Sequence, residues 1–402
     1  MEMGEQIYEE SIEILRENQH ENGGFFASPP SKRYPIIYTR DHTSAILGAI
    51  SARLFEMAKK GLEFILSAQK PSGEFSQRYD IYGVDASYKD LHIDVCGMVL
   101  FALNQYYEAI KDKNNESKKF IEKYWNNIEK AVDFILLHKN KEMNLIHTIY
   151  SIHEFPAYEM GFEIFANCAC CAGILGAVNL GKELNKDVSI WEEESKIIKD
   201  SILTKFWSPR RQSFLKNIQV RDKNRDPVKY DEFASVVSNV DVAEYAPAYF
   251  DLIKDNNPKI MNTVKRIDRN LWDSDLDGLN RYPVQIGNED AGYGSWPLFT
   301  CQIARHFAAV KDIEMTEDYL EWVIESAYNY QLPEHISLIE RFELWLEDYV
   351  STKLLRDNKL YLIENIRKHP MWEEGLVYVT TPFIWSHAEY IQAYNLYKKQ
   401  FL

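Results

Sequence analysis

Cysteine is scarce in this sequence, basic charge is in deficit, and no apolar run reaches membrane-spanning length. The five cysteines in 402 residues include the crowded Cys168, Cys170 and Cys171, a spacing that does not form a disulfide framework. Basic residues number 46 against 61 acidic ones, a net charge of −15, which disfavours binding to nucleic acid and to anionic membranes. We therefore expect a cytoplasmic protein that binds neither nucleic acid nor a membrane. The oligomeric state stays open.

Further features of the sequence exclude other classes of protein. The longest apolar stretch, from Ile164 to Val178, is too short for a membrane span and contains Asn167, which predicts a buried helix. Residues 1–19 show an acidic amphipathic pattern rather than a signal peptide, so the mature chain is expected to start here. A hydrophobic content of 46% is ample for a large core. Because no linker rich in Gly, Ser or Pro divides the chain, we predict one domain over residues 1–402.

A weak internal repeat organises the chain. A short loop with Gly and Phe, a polar Tyr-rich loop and a helix of small apolar residues follow one another about six times, with charged amphipathic segments between them. Because small residues let inner helices close tightly, the pattern predicts an all-α (α/α)6 barrel of six inner and six outer helices, with the Tyr-rich loops at one end. Residues 338–381 are expected to add a helix or two near that mouth. The inner helices are predicted to start near Ser44, Leu91, Phe162, Tyr230, Ser295 and Trp385, and the outer ones to cover residues 1–19, 54–70, 117–139, 189–207, 257–272 and 316–330.

Four polar loops carry the residues that could perform chemistry. In chain order they contain YTRD at 38–41, SIHEFPAYEMGF at 151–162, GLNRYP from 278, and LPEHIS at 332–337 followed by WSHAEY at 385–390. In this order and spacing they resemble the signature loops of the glucoamylase-like family 15 glycoside hydrolases, over nearly the whole chain. The resemblance implies an (α/α)6 barrel that hydrolyses α-linked glucosides with inversion, and it implies no cofactor.

The first loop is similar to the family's aromatic-rich loop that ends in Arg-Asp. Tyr34 and Tyr38 precede Arg40 and Asp41 here, and the resemblance implies that the Arg-Asp pair holds hydroxyls of the non-reducing glucose. A guanidinium beside a carboxylate can donate to and accept from neighbouring hydroxyls. The structural alternative is that Asp41 caps a helix and Arg40 lies on the surface.

The second loop resembles the one that bears the family's general acid. Glu154 and Phe162 keep the family's spacing between the acid and a following Phe. His153 stands where the family has Trp, so the site for the leaving sugar is expected to differ. Glu159 and Glu163 are nearby alternatives for the acid, and a plain surface position for Glu154 stays open.

The third loop is similar to the family's Arg-Tyr loop, which leads through a Gly-rich turn into an inner helix. The resemblance implies that Arg281 clamps the substrate and that Trp296 forms a wall of its site. Gly294 and Ser295 stand where the family has Asn-Pro, so the turn is expected to differ. The structural alternative is that Trp296 only anchors the start of a helix.

The fourth loop is similar to the Leu-Pro-Glu that carries the family's general base, with Glu334 in that place. The resemblance implies that His335 and Trp385, in the Trp-Ser-His-Ala segment of the last helix, lie at the substrate site. A purely structural Glu334 is the alternative. A Trp-Glu at Glu373 imitates the acid motif but lies after Leu-Pro-Glu, out of the family's order.

Two carboxyl groups on separate loops suit glycosidic cleavage. One protonates the departing oxygen, while the other, about 6.5–9.5 Å away in inverting enzymes, activates a water on the opposite face of the sugar. The acid must keep its proton, which we expect from a partly apolar pocket lined by Phe155, Phe162 and Trp385. The base must stay ionised, with His335 or tyrosine hydroxyls as donors.

These residues predict an exo-acting α-glucosidase of glucoamylase type that acts on a small oligosaccharide. An α,α-trehalase could use the same pair of glutamates, and a sugar-binding protein that has lost hydrolysis is the alternative outside catalysis. Another enzyme on the same barrel, an epimerase or an unsaturated-uronide hydrolase, would need His clusters or an Asp pair at the mouth. The cysteine cluster and the DSDLDG segment at 273–278 do not form a metal site of recognisable spacing.

Overall fold

The structure, a computed structural model, describes residues 2–111, 116–154, 160–218, 240–281, 291–350 and 360–402. Helices dominate it. In chain order they are α1 (Glu2–Asn18), α2 (Thr39–Ser51), α3 (Phe55–Ser67), α4 (Ile93–Ile110), α5 (Glu116–Lys123), α6 (Trp125–Leu137), α7 (Ile164–Glu183), α8 (Ser189–Lys205), α9 (Ala246–Tyr249), α10 (Pro258–Leu271), α11 (Pro297–Val310), α12 (Ile313–Glu325), α13 (Ile339–Val350), α14 (Leu360–Lys368) and α15 (Ile384–Phe401). Short 3-10 turns cover Val242–Tyr245 and Pro370–Trp372.

Short antiparallel strand pairs tie the loops together. They are β1 (Ile37–Tyr38) with β2 (Arg78–Tyr79), β3 (Lys139–Asn140) with β4 (Leu145–Ile146), β5 (Phe162–Glu163) with β8 (Asn217–Ile218), β6 (Trp207–Ser208) with β7 (Ser213–Phe214), β9 (Trp272–Asp273) with β10 (Gly278–Leu279), and β11 (His335–Leu338) with β12 (Leu376–Val379). The β1–β2 and β5–β8 pairs each join loops of two successive repeats.

The helices form two concentric rings. In the inner ring α4 packs along α7, α11 along α15, α15 along α2 and α2 along α4, while the one-turn α9 packs on α7 in the remaining place. Helices α1, α3, α6, α8, α10 and α12 pack outside them. This is the predicted (α/α)6 barrel, and the prediction is confirmed.

Small residues let the inner ring close. A β-carbon built on Gly97 of α4 would stand 2.3 Å from the backbone carbonyl carbon of Ala169 on α7. One built on Gly173 would stand 2.6 Å from the carbonyl oxygen of Gly97. Any side chain at these positions would push α4 and α7 apart, which is the physical reason for the small residues in the repeat.

The loops that precede the inner helices lie at one end of the barrel. Pairings between the segments that precede the inner helices bring them together: β1 pairs with β2, His92 with Tyr150 and Ser295 with Ile336. The residues that begin these helices are polar or aromatic, and they include Tyr38, His92, Glu163, Asp241 and Trp296. Helix N-termini carry unpaired N–H groups, so this end is suited to polar ligands.

The segment predicted to exceed a simple loop adds two helices, α13 and α14, and the β11–β12 pair. Its apolar side chains form a small core of their own around Phe342, Trp345, Ile366 and Val377. The predicted addition near the mouth is therefore confirmed, and β11 begins at the residue after Glu334.

Some predicted boundaries were wrong. Helix α2 begins at Thr39 rather than near Ser44, because its polar first turn faces the loops and has no apolar periodicity. The outer segment 117–139 is two helices, α5 and α6, since Tyr124 leaves helical geometry with φ −105° and ψ 12°. The fourth inner helix, predicted from Tyr230, falls partly outside the described residues. The described part of this segment contains a 3-10 turn and the one-turn α9.

Helix α7 is longer than its apolar stretch indicated. It extends from Ile164 to Glu183, and by length and composition it is the one described helix that could cross a membrane. Most of it is buried inside the barrel, so its apolar residues are already covered by protein, as predicted.

Candidate active site

Glu154 is held by donors from two segments, the start of α2 and the loop before α4. Arg40 Nη1 donates to its Oε1 at 2.9 Å, and the Tyr88 hydroxyl donates to its Oε2 at 2.7 Å. Lys89 lies with Nζ 3.6 Å from Oε2 and donates to the Glu154 backbone carbonyl at 2.5 Å. The Glu154 backbone has a φ of 57°, in the left-handed region that an L-residue adopts only under constraint.

These contacts overturn the expectation that an apolar pocket keeps Glu154 protonated. Burial alone raises the pKa of Glu154, but the positive charge of Arg40 and further polar partners, including Lys89, lower it to about 2. Of the expected apolar lining, Phe155 lies outside the described residues, and Phe162 is buried in β5 with its ring against His147 at 5.9 Å. The unliganded carboxyl of Glu154 is therefore ionised at neutral pH.

Arg40 is fully engaged by protein groups. Its Nε and Nη2 donate to the two carboxylate oxygens of Asp94 at 2.6 and 3.1 Å. Its Nη2 also lies 2.7 Å from Nδ1 of His92. Because burial and the charge of Arg40 lower the pKa of His92 to about 3, this imidazole is neutral and accepts the hydrogen bond. Asp94 and His92 thus aim Arg40 at Glu154.

Asp41 experiences the charge of both proposed catalytic glutamates. It lies in the first turn of α2 and is buried, and its Oδ1 has no hydrogen-bond partner among the described residues. Burial raises the pKa of Asp41 to about 8, and the negative charges of Glu334 and Glu154 both add to the rise. Asp41 is therefore largely protonated at neutral pH, and its hydroxyl is available as a donor.

Glu334 is positioned mainly by its backbone. Its N–H donates to the carbonyls of Val379 and Thr380 at 2.9 and 3.0 Å, at the end of the β11–β12 pair. Around the carboxylate the contacts are longer: the Tyr34 hydroxyl at 3.4 Å, Arg33 Nη1 at 3.5 Å and the Thr380 hydroxyl at 3.2 Å. A tyrosine hydroxyl beside Glu334 was one of the expected donors.

Aromatic rings connect the surroundings of the two glutamates. Tyr34 packs edge-on against Tyr38 with centroids 5.7 Å apart. The guanidinium of Arg78 lies over the rings of Tyr38 and Tyr88, 5.6 and 4.4 Å from their centroids. Tyr34 contacts Glu334 and Tyr88 contacts Glu154, so this row of rings runs from one carboxyl group to the other.

Arg281 and Trp296 come together as the third loop predicted. Arg281 lies 5.2 Å from the centroid of Trp296 and donates to the carbonyl of Ile152, two positions before Glu154. Trp296 in turn stacks on His335 with centroids 4.8 Å apart. His335 thus faces Trp296, and its Nε2 lies 3.3 Å from the carbonyl of Gly292.

Gly294, which stands in place of the family's Asn, has no room for a side chain. A β-carbon there would stand 1.8 Å from the carbonyl oxygen of Ile336 in β11. Ser295 and Ile336 exchange backbone hydrogen bonds of 2.8 and 2.9 Å. The turn therefore packs its bare backbone against the strand that begins after Glu334.

His153 is turned into the protein. Its Nε2 lies 3.1 Å from Oδ2 of Asp241, which also binds Lys216 at 3.2 Å. Burial holds the pKa of His153 well below its ordinary value, so the imidazole is neutral. The side chain that replaces the family's Trp is only 1% exposed.

The alternative acids have structural roles or are not described. Glu163 is inaccessible and caps α7, accepting from the backbone N–H of Phe165 and Ala166 at 2.9 and 2.7 Å. Glu159 lies outside the described residues.

Trp385, expected at the substrate site, is buried in the first turns of α15. Its indole N–H donates to Glu389 at 3.1 Å.

Sequence reasoning missed the residues that hold the two glutamates. Asp94, His92, Tyr88 and Lys89 lie in or after the polar loop of the second repeat, and Arg33 lies just before the first loop. The feature of the sequence that could have revealed them was the position of their loop, which precedes an inner helix as the four recognised loops do. Among the described residues no group of His, Cys, Asp or Glu could hold a metal ion.

Solved structures with the same fold are glycosidases. A glycosidase variant in complex with glucose is 16% identical, with 98% of this chain and 97% of that chain covered and a TM-score of 0.71. A bacterial glucoamylase complexed with acarbose is 15% identical, with 98% and 58% covered and a TM-score of 0.67. The glucoamylase of Saccharomycopsis fibuligera is 14% identical, with 98% and 95% covered and a TM-score of 0.65. At the level of the fold, they confirm the resemblance seen in the four loops.

A sequence relative has a similar description. An uncharacterized glycosyl hydrolase of Methanocaldococcus jannaschii is 24% identical over an alignment of 337 residues that covers 78% of this chain. This match spans 49%, about half, of the relative's length. No family model matches the chain.

Proposed function

We propose, on the premise of the glucoamylase-type barrel, that the chain is an inverting exo-acting glycoside hydrolase that releases glucose from α-linked oligosaccharides. Glu154 is the general acid and Glu334 the general base. Arg40, Asp41 and Arg281 hold the terminal glucose, with Tyr34, Tyr38, Trp296 and the neighbouring rings as walls.

One observation carries this proposal. Tyr34 contacts Glu334 and Tyr88 contacts Glu154, and Tyr38 with Arg78 joins the two tyrosines, so glutamates from loops far apart in the chain face one row of rings beside the buried Asp41. Two carboxyl groups near one buried polar residue, with tyrosines between them, suit a sugar ring bound between an acid and a base. The comparison proteins support the choice of sugar, since one holds glucose and another acarbose.

The reaction breaks the bond between C1 of the terminal glucose and the bridging oxygen. Glu154 gives its proton to that oxygen, which leaves as the hydroxyl of the shortened saccharide. Glu334 takes a proton from a water, and the water oxygen bonds to C1 on the opposite face, giving β-glucose. Before the next cycle Glu334 releases its proton to solvent and Glu154 takes one up from solvent.

Glu154 must gain a proton although its pKa is about 2 in the unliganded protein. Arg40 is the main positive neighbour that lowers it. When a bound sugar displaces water from the site, the ionised form of Glu154 loses solvation and its pKa rises. Substrate binding thus prepares the acid.

Product analysis tests the proposal. Maltose, maltotriose and trehalose are incubated with the protein, and NMR follows the anomer of the glucose released. We expect β-glucose from the maltooligosaccharides, with Glu154→Gln and Glu334→Gln each reducing kcat about 10²–10⁴-fold. Glu373→Gln, a change at an exposed glutamate of the imitating Trp-Glu motif, is the control and should leave kcat unchanged.

Two results would refute the assignment. Full turnover by either active-site variant would show that its glutamate is not catalytic. Sugar binding by the wild type with no glucose released over days would favour a binding protein instead.

A further inference from the structure

A cavity of about 340 Å³ lies beside Glu334, between the residues that precede α2 and helix α14. Its volume is at the lower end of small-molecule sites, which span about 300–1,000 Å³. Arg33 and Thr380 line the cavity, and both also contact the Glu334 carboxylate, at 3.5 and 3.2 Å. The cavity and the proposed base therefore share a wall of two side chains.

The lining of this cavity is cationic although the chain is acidic. Lys32, Arg33 and Lys368 contribute positive charge, and none of the described lining residues is Asp or Glu. Lys368 also binds Glu364 at 3.3 Å on the exposed face of α14, and Glu364 is not part of the lining. A concave surface with charge of one sign attracts a ligand of the opposite sign.

The rest of the lining suits a sugar. His369 stacks on Tyr378 with centroids 4.8 Å apart, and Tyr328 meets His369 edge-on at 4.9 Å. Flat rings with polar edges pack against the apolar face of a sugar while hydrogen-bonding its rim. The lining also contains amide side chains, those of Asn329, Gln331 and Asn365.

We propose that this cavity binds a phosphate-bearing small molecule of about the size of a monosaccharide phosphate. The phosphate lies among Lys32, Arg33 and Lys368, and the remainder lies against the stacked rings of His369 and Tyr378. A phosphate is favoured over a carboxylate because its second negative charge matches a site with several cations. The site is distinct from the pair of glutamates that would cleave a glycoside.

Isothermal titration calorimetry tests the site, with inorganic phosphate and glucose 6-phosphate as probes and sodium chloride to keep the ionic strength constant. The double variant Lys32→Met/Lys368→Met should bind both probes about tenfold more weakly. Lys196→Met, at an exposed lysine of α8, is the matched control and should bind as the wild type does. Equal binding by the double variant and the wild type, or no binding of either probe, overturns the proposal.

The two probes also distinguish the source of the phosphate. Tighter binding of glucose 6-phosphate than of phosphate identifies a sugar phosphate as the ligand. The reverse order identifies free phosphate. Glucose itself serves as a reference, since its binding at the glutamates should not depend on Lys32 or Lys368.

An occupant of the cavity would also affect the proposed base, and this consequence rests on the proposed function. A phosphate attracts Arg33 away from Glu334, so saturating phosphate should change kcat/KM for maltose about twofold or more in the wild type, but not in the double variant. An active enzyme indifferent to phosphate refutes the coupling. An inactive enzyme refutes the proposed hydrolysis and leaves the binding result standing.

Discussion

Glu154 and Glu334 are held in opposite ways. Side chains hold Glu154, with Arg40 and Tyr88 at 2.9 and 2.7 Å from its carboxylate, and its own backbone is in the left-handed region. Backbone bonds at a strand end hold Glu334, and the hydroxyls of Thr380 and Tyr34 and the guanidinium of Arg33 stand 3.2–3.5 Å from its carboxylate. The protonation state of the first is thus set by charged side chains, and the position of the second is set by the backbone.

This difference suits the two roles. An acid must change its protonation state in each cycle, and the pKa of a carboxyl held by charged side chains changes when a substrate displaces the water around them. A base that activates water must above all stay in place, and a paired strand end is a rigid support. The comparison can be tested by changing the surroundings of one glutamate at a time.

The largest expected effect on activity is seen when the leaving group of the substrate is changed from a sugar to fluoride. Glu154→Gln should cut activity on maltose about 10³-fold but retain activity on α-glucosyl fluoride within about tenfold of the wild type, because fluoride leaves without a proton. Glu334→Gln should lose about 10³-fold on both substrates. Steady-state kinetics on the two substrates measure this. If Glu154→Gln were equally impaired on the fluoride, the assignment of acid and base would fail.

The second effect concerns Asp94, which positions Arg40 beside the acid Glu154. Asp94→Asn removes the carboxylate that binds two nitrogens of Arg40, so Arg40 is no longer aimed at Glu154. We expect kcat/KM to fall about 10–100-fold with the fold intact by circular dichroism. Asp85→Asn, at a carboxylate with 37% side-chain exposure in the same loop region, is the control and should stay within about twofold. If the kcat/KM of Asp94→Asn equalled that of the wild type, Asp94 would not be needed to position Arg40 beside Glu154.

The third effect is a shift of the pH profile. Lys89 is one of the positive charges that lower the pKa of Glu154, so Lys89→Met should raise that pKa. In the substrate complex the protonated acid then persists to higher pH, and the limb on which kcat falls with rising pH should move upward by about half a unit to one unit. Thr380→Val, beside the base, should leave this limb in place. Equal shifts in the two variants would erase the distinction between the two glutamates.

The smallest effect is on stability. The pKa of Asp41 is about 8 in the folded chain, above its ordinary value, so the folded state binds more protons and loses stability as pH rises from about 4 to 8. Asp41→Asn does not titrate and should escape this loss. Its stability advantage over the wild type should grow by at least about 1 kcal/mol between pH 4 and pH 8, measured by urea unfolding. A pH-independent difference would show that Asp41 is not protonated in the folded chain.

Much of the architecture was predictable because it depends on local patterns in the sequence. The small residues of Ile93–Ile110 and Ile164–Glu183 indicated inner helices before any contact between them was known. The break at Tyr124 and the early start of α2 were not predictable. Both depend on what the side chains pack against rather than on apolar spacing.

The sequence alone determined the alternation of inner and outer helices, the polar loops at the N-termini of the inner ones and the residue types that those loops bring to one end. Only the tertiary structure decided which charges meet. Arg40 and Glu154 are 114 positions apart, and Tyr34 and Glu334 are 300 apart, so no periodicity records their contact. Because a carboxyl pKa depends on burial and on distances to such neighbours, the protonation states of Glu154 and Asp41 are set by the fold.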